Sequence, residues 1–162
     1  MELTFAPRGI LQINDARIVH RNFRGEGSNY NRQGDRNFSL VIENEEMAEA
    51  LTRAGWNVKV KEPKVEGDAP FMFLPVKVKF NDRGPAVYLV SGTKVNQLYE
   101  NTVHRLDEID IMGVNLDIRP YDWTVNGQNG RTAYLQSIEV FQEMDRFAAK
   151  HGLDRYDDYM EE

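Results

Sequence analysis

The chain has 162 residues, is 41% hydrophobic and carries a formal net charge of −6, which is enough apolar material for one domain with a core and excludes a disordered chain. Cysteine is absent, so disulfides, thiolate metal sites and Cys nucleophiles are excluded together. No apolar run approaches the roughly 18 residues of a membrane span.

The N-terminus, Met1-Glu2-Leu3-Thr4-Phe5-Ala6-Pro7-Arg8, lacks the basic and apolar segments of a secretory signal, so a cytoplasmic protein is the expectation. The negative charge argues against a generally basic nucleic-acid binder, yet it is unevenly placed. Residues 17–64 hold nine Lys and Arg against seven Asp and Glu, whereas 101–162 hold six against thirteen. Local charge, more than net charge, bears on binding.

In chain order, residues 10–13 and 16–23 alternate as one long strand with a bulge or bend at Asn14-Asp15. Arg17, Val19, Arg21 and Phe23 share one face of it, unusually cationic for a core face, and are placed toward solvent or ligand. A polar loop rich in Gly, Asn and Arg follows, holding Arg24, Tyr30 and Arg32. Arg36-Asn37-Phe38-Ser39-Leu40-Val41-Ile42 reads as a strand with Phe38, Leu40 and Ile42 inward. Arg36 shares that face and is expected at the rim. Asn44 suits the cap of a helix over 45–54, with Glu45 and Glu46 in its first turn, Met47, Leu51 and Ala54 as its apolar stripe, and Gly55 as its stop.

Trp56–Lys61 has a strand pattern with Lys59 and Lys61 on one face, and 62–70 is a loop with two prolines and a glycine. Phe71–Phe80 repeats the pattern, Val76, Val78 and Phe80 facing one way and Lys77 and Lys79 the other. A turn at Asn81–Pro85 leads to a buried strand, Ala86–Val90. Short helical turns are expected within 94–106, near 94–101 above all, with Val95, Leu98 and Tyr99 inward. Val114–Trp123 has two faces, Leu116 and Ile118 on one, Arg119, Tyr121 and Trp123 on the other. Asn126-Gly127 signals a hairpin turn before the last strand, Arg131–Phe141. Residues 143–162 read as a short helix around 144–150 and a flexible acidic tail, appended to a domain spanning 1–142.

The chain lacks a nucleotide-phosphate loop and a dinucleotide glycine fingerprint. His20, His104 and His151 have no metal-ligand spacing, and none of its serines has nucleophile-elbow context. Asp107, Glu108 and Asp110 could hold Mg²⁺ in a nuclease, but an acidic surface turn explains them more simply. No enzyme activity, metal or cofactor is expected.

Four segments, by contrast, place cations or aromatics opposite their apolar residues: Arg17/Arg21/Phe23, Lys59/Lys61, Lys77/Lys79 and Arg119/Tyr121/Trp123. Lysine on the outer face of a strand is ordinary on its own. If the four strands are neighbours, their faces merge into a groove in which cations meet phosphates and flat rings meet bases.

The segments Asn22-Phe23-Arg24-Gly25, Tyr30–Phe38, Gly55-Trp56-Asn57-Val58-Lys59, Leu74-Pro75-Val76-Lys77-Val78, Ile118–Trp123 and Gly130–Leu135 together resemble a group of small proteins of tailed bacteriophages and prophages. That resemblance covers roughly 10–141 and implies single-stranded DNA binding through an OB-fold, without catalysis. It also implies an acidic tail for docking replication or recombination proteins; such tails often end in an aromatic residue, whereas here Met160-Glu161-Glu162 follows Tyr159.

The expected architecture is mainly β: an OB-fold-like five-stranded barrel with extra strands and one or two short inserted helices. The expected function is sequence-tolerant single-stranded DNA binding in phage or prophage replication or recombination, in the cytoplasm of the bacterial host. Phosphates would meet Arg17, Arg21, Arg24, Arg32, Arg36, Lys59, Lys61, Lys77, Lys79 and Arg119, and bases would meet Phe23, Tyr30, Tyr121 and Trp123. The competing expectation is a non-enzymatic interaction protein whose acidic 101–162 region binds a protein partner or mimics DNA.

Overall fold

Two long strands, β9 (Ile111–Val125) and β10 (Gln128–Gln142), form the spine of the fold. They are joined by Asn126-Gly127, both at positive φ (51° and 78°), the geometry a tight two-residue hairpin needs. A computed structural model describes residues 1–145 and 147. Among these, ten strands belong to one hydrogen-bonded sheet: also β1 (Glu2–Phe5), β2 (Leu11–Ala16), β3 (Ile18–Asn22), β4 (Arg36–Ile42), β5 (Lys59–Lys61), β6 (Phe71–Val78), β7 (Ala86–Ser91) and β8 (Lys94–Leu98). The main path runs β1-β2-β9-β10-β6-β4-β3 and does not close by hydrogen bonds. All its pairings are antiparallel except β10 with β6, and β10 also pairs parallel with β7.

The first strand breaks where the sequence suggests. The β2–β9 register slips between Ile13 and Ala16, and Asp15 has φ 54°; its N–H donates to Asn115 Oδ1 at 2.8 Å. β2 and β3 are therefore two halves of one bent strand, the first pairing with β9 and the second with β4. The inward alternation of both halves and of β4, β6, β9 and β10 supplies one contiguous core, with Leu11, Ile13, Leu40, Val76 and Ile118 fully buried. Phe38, Leu40 and Ile42 point into it as expected.

The helix α1 (Glu45–Arg53) starts at Asn44, whose side chain accepts from the Met47 N–H at 2.8 Å. At its end Gly55 sits at φ 101°; its N–H donates to the Thr52 carbonyl and that of Trp56 to the Leu51 carbonyl, both at 3.0 Å. This double bond is the glycine-dependent stop of a helix. It turns Trp56 back so that its ring is 96% buried (4% exposed), leaving only Lys59–Lys61 as strand β5.

Residues 94–101 are not helical. Gly92, at φ 65°, reverses the chain, and Lys94–Leu98 pairs with β7 as β8. The two-residue alternation of this segment prevails over the helical one: Leu98 is buried, while Val95 and Tyr99 are exposed at 63% and 58%. A 3-10 turn forms later, at Val103–Asp107. The expected helix at 144–150 and the acidic tail lie outside the described residues, save 144, 145 and 147 at the helix's near end. No helix among the described residues is long and apolar enough to cross a membrane.

Candidate nucleic-acid interface

The sheet register decides which of the four cationic segments meet. Residues directly opposite one another in adjacent strands point to the same face. Asn37 of β4 stands opposite Lys77 of β6, Lys77 stands beside Tyr134 of β10, and Tyr134 stands opposite Arg119 of β9. These four side chains form one row across the outer face, on the far side of the sheet from Val76, Ile118 and Leu135 in the core. Within it the Arg119 guanidinium lies 4.8 Å from the centroid of the Tyr134 ring, a cation–π distance. Tyr121, two residues on, meets the same ring edge-on at 6.1 Å. Lys59 and Lys61 share the face too, opposite Phe73 and Phe71 at the far end of β6.

Two adjoining cavities open beside this row. One, of about 530 Å³, is lined by Tyr30, Arg32, Arg36, Lys77, Lys79 and Tyr134, with Asp35 and Glu100 among its other residues. The other, of about 440 Å³, is lined by Lys79, Arg83, Arg119 and Gln136 among others. Lys79 belongs to both and joins them. Neither Lys77 nor Lys79 has an ion-pair partner among the described residues. The two arginines of the first cavity differ: Arg32 pairs with Asp35 at 3.4 Å and Arg36 with Glu100 at 3.5 Å. Arg36 lines the cavity from the start of β4. Its Nε donates to the Phe23 carbonyl at 2.9 Å, and its guanidinium lies 5.6 Å from the Phe80 centroid.

The loop between β3 and β4 that presents Tyr30 and Arg32 is knit internally. The Asn31 side chain donates to the carbonyls of Glu26, Arg32 and Asp35 and accepts from Asn37 at 2.8 Å. Gly25 and Gly34 pack backbone to backbone, the Gly34 N–H donating to the Gly25 carbonyl at 2.8 Å. A Cβ at Gly25 would meet the Gly34 backbone at 3.0 Å. This leaves Tyr30 fully exposed (100%) at the tip.

The remaining set, Arg17/Arg21/Phe23, does not join the groove. Phe23 is fully buried (0% exposed) and stacks on Phe38 with centroids 5.4 Å apart, so its ring belongs to the core and is not available to a base. The register slip between Val19 and Asn22, with His20 at φ 52°, is the cause, because it swaps the faces that simple alternation assigned. Arg21 donates to the carbonyls of Leu106 and Ile109 and ties the 3-10 turn to β3. Asp107 accepts from the N–H groups of Phe23 and Arg24 at 2.9 and 3.0 Å, and Arg24 pairs with Glu108 at 3.1 Å. Arg17 lies on the same flank, lining a small cavity with Asp110 and Glu143. The acidic turn is thus the counter-charge of this flank. Among the described residues no group of His, Cys, Asp and Glu could hold a metal.

The β9–β10 hairpin carries Tyr121 and Trp123 as an arm, exposed at 55% and 39%. The Trp123 ring lies over Gly130, where a Cβ would intrude into the indole, and its Nε1 donates to Thr132 Oγ1 at 3.2 Å. The opposite face of the arm is anchored by Arg131. Its Nε and Nη2 donate to the two Asp122 oxygens at 2.6 and 3.2 Å, its Nη1 donates to the Ala54 carbonyl at 2.8 Å, and its guanidinium covers Trp56 at 5.0 Å. These hydrogen bonds hold the Asp122 carboxyl below the usual carboxylate range.

Tyr134, Asn37 and Arg83 line the site and were missed from sequence. Asn37 sits in a strand read for its inward residues and Tyr134 in one given no faces, and only the register brings them beside Lys77.

Residues 3–153 match the model of the family described as "Putative phage ssDNA-binding domain". No curated protein matches the chain. Among solved structures, the single-stranded DNA-binding protein of bacteriophage Enc34 in complex with ssDNA aligns with a TM-score of 0.56 at 12% identity, covering 90% of this chain and 93% of that one. A C-terminal truncation of the Enc34 protein aligns with a TM-score of 0.53 at 13% identity, over 89% and 97% of the two chains. A further structure of that protein gives 0.51 at 15% identity, over 98% and 99%. At such identities the likeness is one of fold.

Proposed function

The chain belongs to the phage ssDNA-binding family, and from that membership we propose that it holds single-stranded DNA, without regard to sequence, across the outer face of β6, β10 and β9. The observation that carries the placement is the Asn37–Lys77–Tyr134–Arg119 row with a cation-lined cavity on either side of Lys79. Phosphates meet Lys77, Lys79 and Arg119, while Arg32 of the loop and Arg36 of β4 flank them, each paired with a carboxylate. Bases stack on Tyr134 and on the exposed rings of Tyr30, Tyr121 and Trp123. Every base has a π-face, so such a surface is tolerant of sequence.

The same reading makes the core an OB-fold barrel. Its support is the order of pairings: a first strand bent at Asp15 so that its halves reach β9 and β4, and a parallel contact between β6 and β10. In that arrangement the β3–β4 loop and the β9–β10 hairpin flank the face where OB-folds take oligonucleotides. The protein then acts as a non-enzymatic component of phage DNA replication or recombination in the bacterial host cytoplasm, and its acidic C-terminal residues serve to dock partner proteins. The competing reading, an acidic surface for a protein partner, loses support because Asp107, Glu108 and Asp122 serve intramolecular partners.

The test is titration of a fluorescent oligonucleotide at two salt concentrations. Binding should weaken with salt at about 0.7 log unit per phosphate contact for each log unit of salt. Lys77→Ala with Lys79→Ala should reduce that slope by about 1.4, while Arg17→Ala leaves it unchanged. No binding at low salt, or binding indifferent to salt, overturns the proposal.

A further inference from the structure

The outer face does not end at Lys77. Toward the start of β6 it carries an aromatic cluster that the groove described above leaves unused. Phe71 and Phe73, half-buried, stack on each other with centroids 5.2 Å apart and planes inclined by 21°. His20, turned outward by the register slip in β3, meets both rings edge-on at 5.8 and 6.2 Å, with its Nδ1 3.3 Å from Ser39 Oγ. Lys61 and Lys59 stand opposite these two phenylalanines on β5, both exposed, and neither has an ion-pair partner among the described residues.

Three rings on the solvent side of a sheet, flanked by two lysines without counter-charge, do not add to the core. They combine π-faces for bases with cations spaced along a strand for phosphates. They also continue the row at Lys77: Phe71, Phe73, Pro75 and Lys77 alternate along the same side of β6. The six steps from Phe71 to Lys77 span roughly 20 Å at about 3.3 Å per residue.

We propose that His20, Phe71, Phe73, Lys59 and Lys61 form a second nucleotide subsite on this strand face, which takes the continuation of a DNA strand already held at Lys77, Tyr134 and Arg119. The inference rests on the DNA-binding reading and extends it: the protein reads strand length through two separate grips. A strand too short to span both engages the cation-lined cavities alone, and a longer one also engages the phenylalanine pair.

The experiment compares oligothymidylates of about four and about sixteen nucleotides, the bounds for one OB-fold, by fluorescence anisotropy on the full chain. Phe71→Ala with Phe73→Ala should weaken the long probe by about tenfold or more and the short one by less than about twofold. Because those rings are half-buried, a second variant guards against a folding defect. Lys59→Ala with Lys61→Ala removes only exposed cations and should lower the salt slope for the long probe by about 1.4, with no change for the short one. The subsite is overturned if the lysine variant leaves the long probe unchanged, if a folded phenylalanine variant does so, or if both lengths weaken alike. Wild-type protein that binds neither length overturns the DNA-binding reading itself.

Discussion

Two flanks of this molecule carry the same kinds of residue and do opposite work. On the β3 flank, Arg21 and Arg24 face backbone carbonyls and the carboxylates of Asp107 and Glu108, and the aromatic among them, Phe23, is buried. On the β6–β10–β9 face, Lys77 and Lys79 face solvent, and the aromatics Tyr134, Tyr121 and Trp123 stand beside Arg119 or on the exposed hairpin. A cation on a strand becomes a binding group only where the fold withholds its counter-charge. The first flank uses its charges to fasten a 3-10 turn and a loop; the second leaves Lys77 and Lys79 without an ion-pair partner among the described residues.

The largest effect expected from this contrast is on stability. Phe23→Ala should remove a fully buried ring that stacks on Phe38 and cost about 3–5 kcal/mol, measured by denaturant unfolding, with oligonucleotide affinity per folded molecule unchanged. An intact stability with lost affinity would break the comparison, since it would place Phe23 in the binding face. Tyr134→Ala is the mirror image. It should cost about 1–3 kcal/mol of single-stranded DNA binding and leave the unfolding midpoint nearly in place. The reverse pattern would make Tyr134 a packing residue and dissolve the row around it.

How far the sequence reaches can be judged on these same residues. Local patterns located β4, β6, β9 and β10, the inward residues of β4, β6 and β9, the helix cap at Asn44 and the bend near Asp15, because each follows from local periodicity or turn chemistry. It failed at Phe23 because a one-residue slip exchanges the two faces of a strand, and such a slip at His20 is backbone geometry that no side-chain pattern announces. It failed at 94–101 because five residues fit a helix stripe and a strand alternation about equally until Gly92 turns the chain back. Tyr134 was invisible for a third reason: a site made by register between β6 and β10 joins positions 57 residues apart, from Lys77 to Tyr134. The pairing of Asp107 with the Phe23 and Arg24 amides is of the same non-local kind.

A smaller effect, of opposite sign, sharpens the contrast within the binding face itself. Arg36 and Arg32 line the same cavity as Lys77 and Lys79, but each holds a carboxylate, Glu100 and Asp35. Glu100 is 66% exposed, so the pair contributes at most about 1 kcal/mol to stability. Glu100→Gln should therefore change the unfolding midpoint little. It should strengthen oligonucleotide binding and steepen its salt dependence by up to about 0.7, one phosphate contact, as Arg36 is released to the ligand. Weaker binding in this variant would mean that Glu100 holds Arg36 in its productive place and does not compete with the strand.

The smallest effect concerns the hairpin arm, where both kinds of behaviour meet on two sides of one ribbon. Tyr121 and Trp123 are open on one face; on the other, Arg131 bridges Asp122, the Ala54 carbonyl and the Trp56 ring. The hydrogen bonds from Arg131 lower the Asp122 pKa beneath its usual 3.8, so the folded state favours the ionised carboxylate. The contribution of this link is therefore complete above pH 3.8 and is lost only as pH falls further, through the lowered value. Across neutral pH it should not vary at all. A carboxyl titration of Asp122 by NMR should find its midpoint beneath 3.8, with faster amide exchange in the hairpin on the acid side. Asp122→Asn should abolish that acid-side step while Ala54 and Trp56 still hold Arg131, so the arm keeps its place. If the step survives the substitution, the arm is held at low pH by some other carboxylate, and the anchored face of the ribbon is not the one that the Arg131 bridge defines.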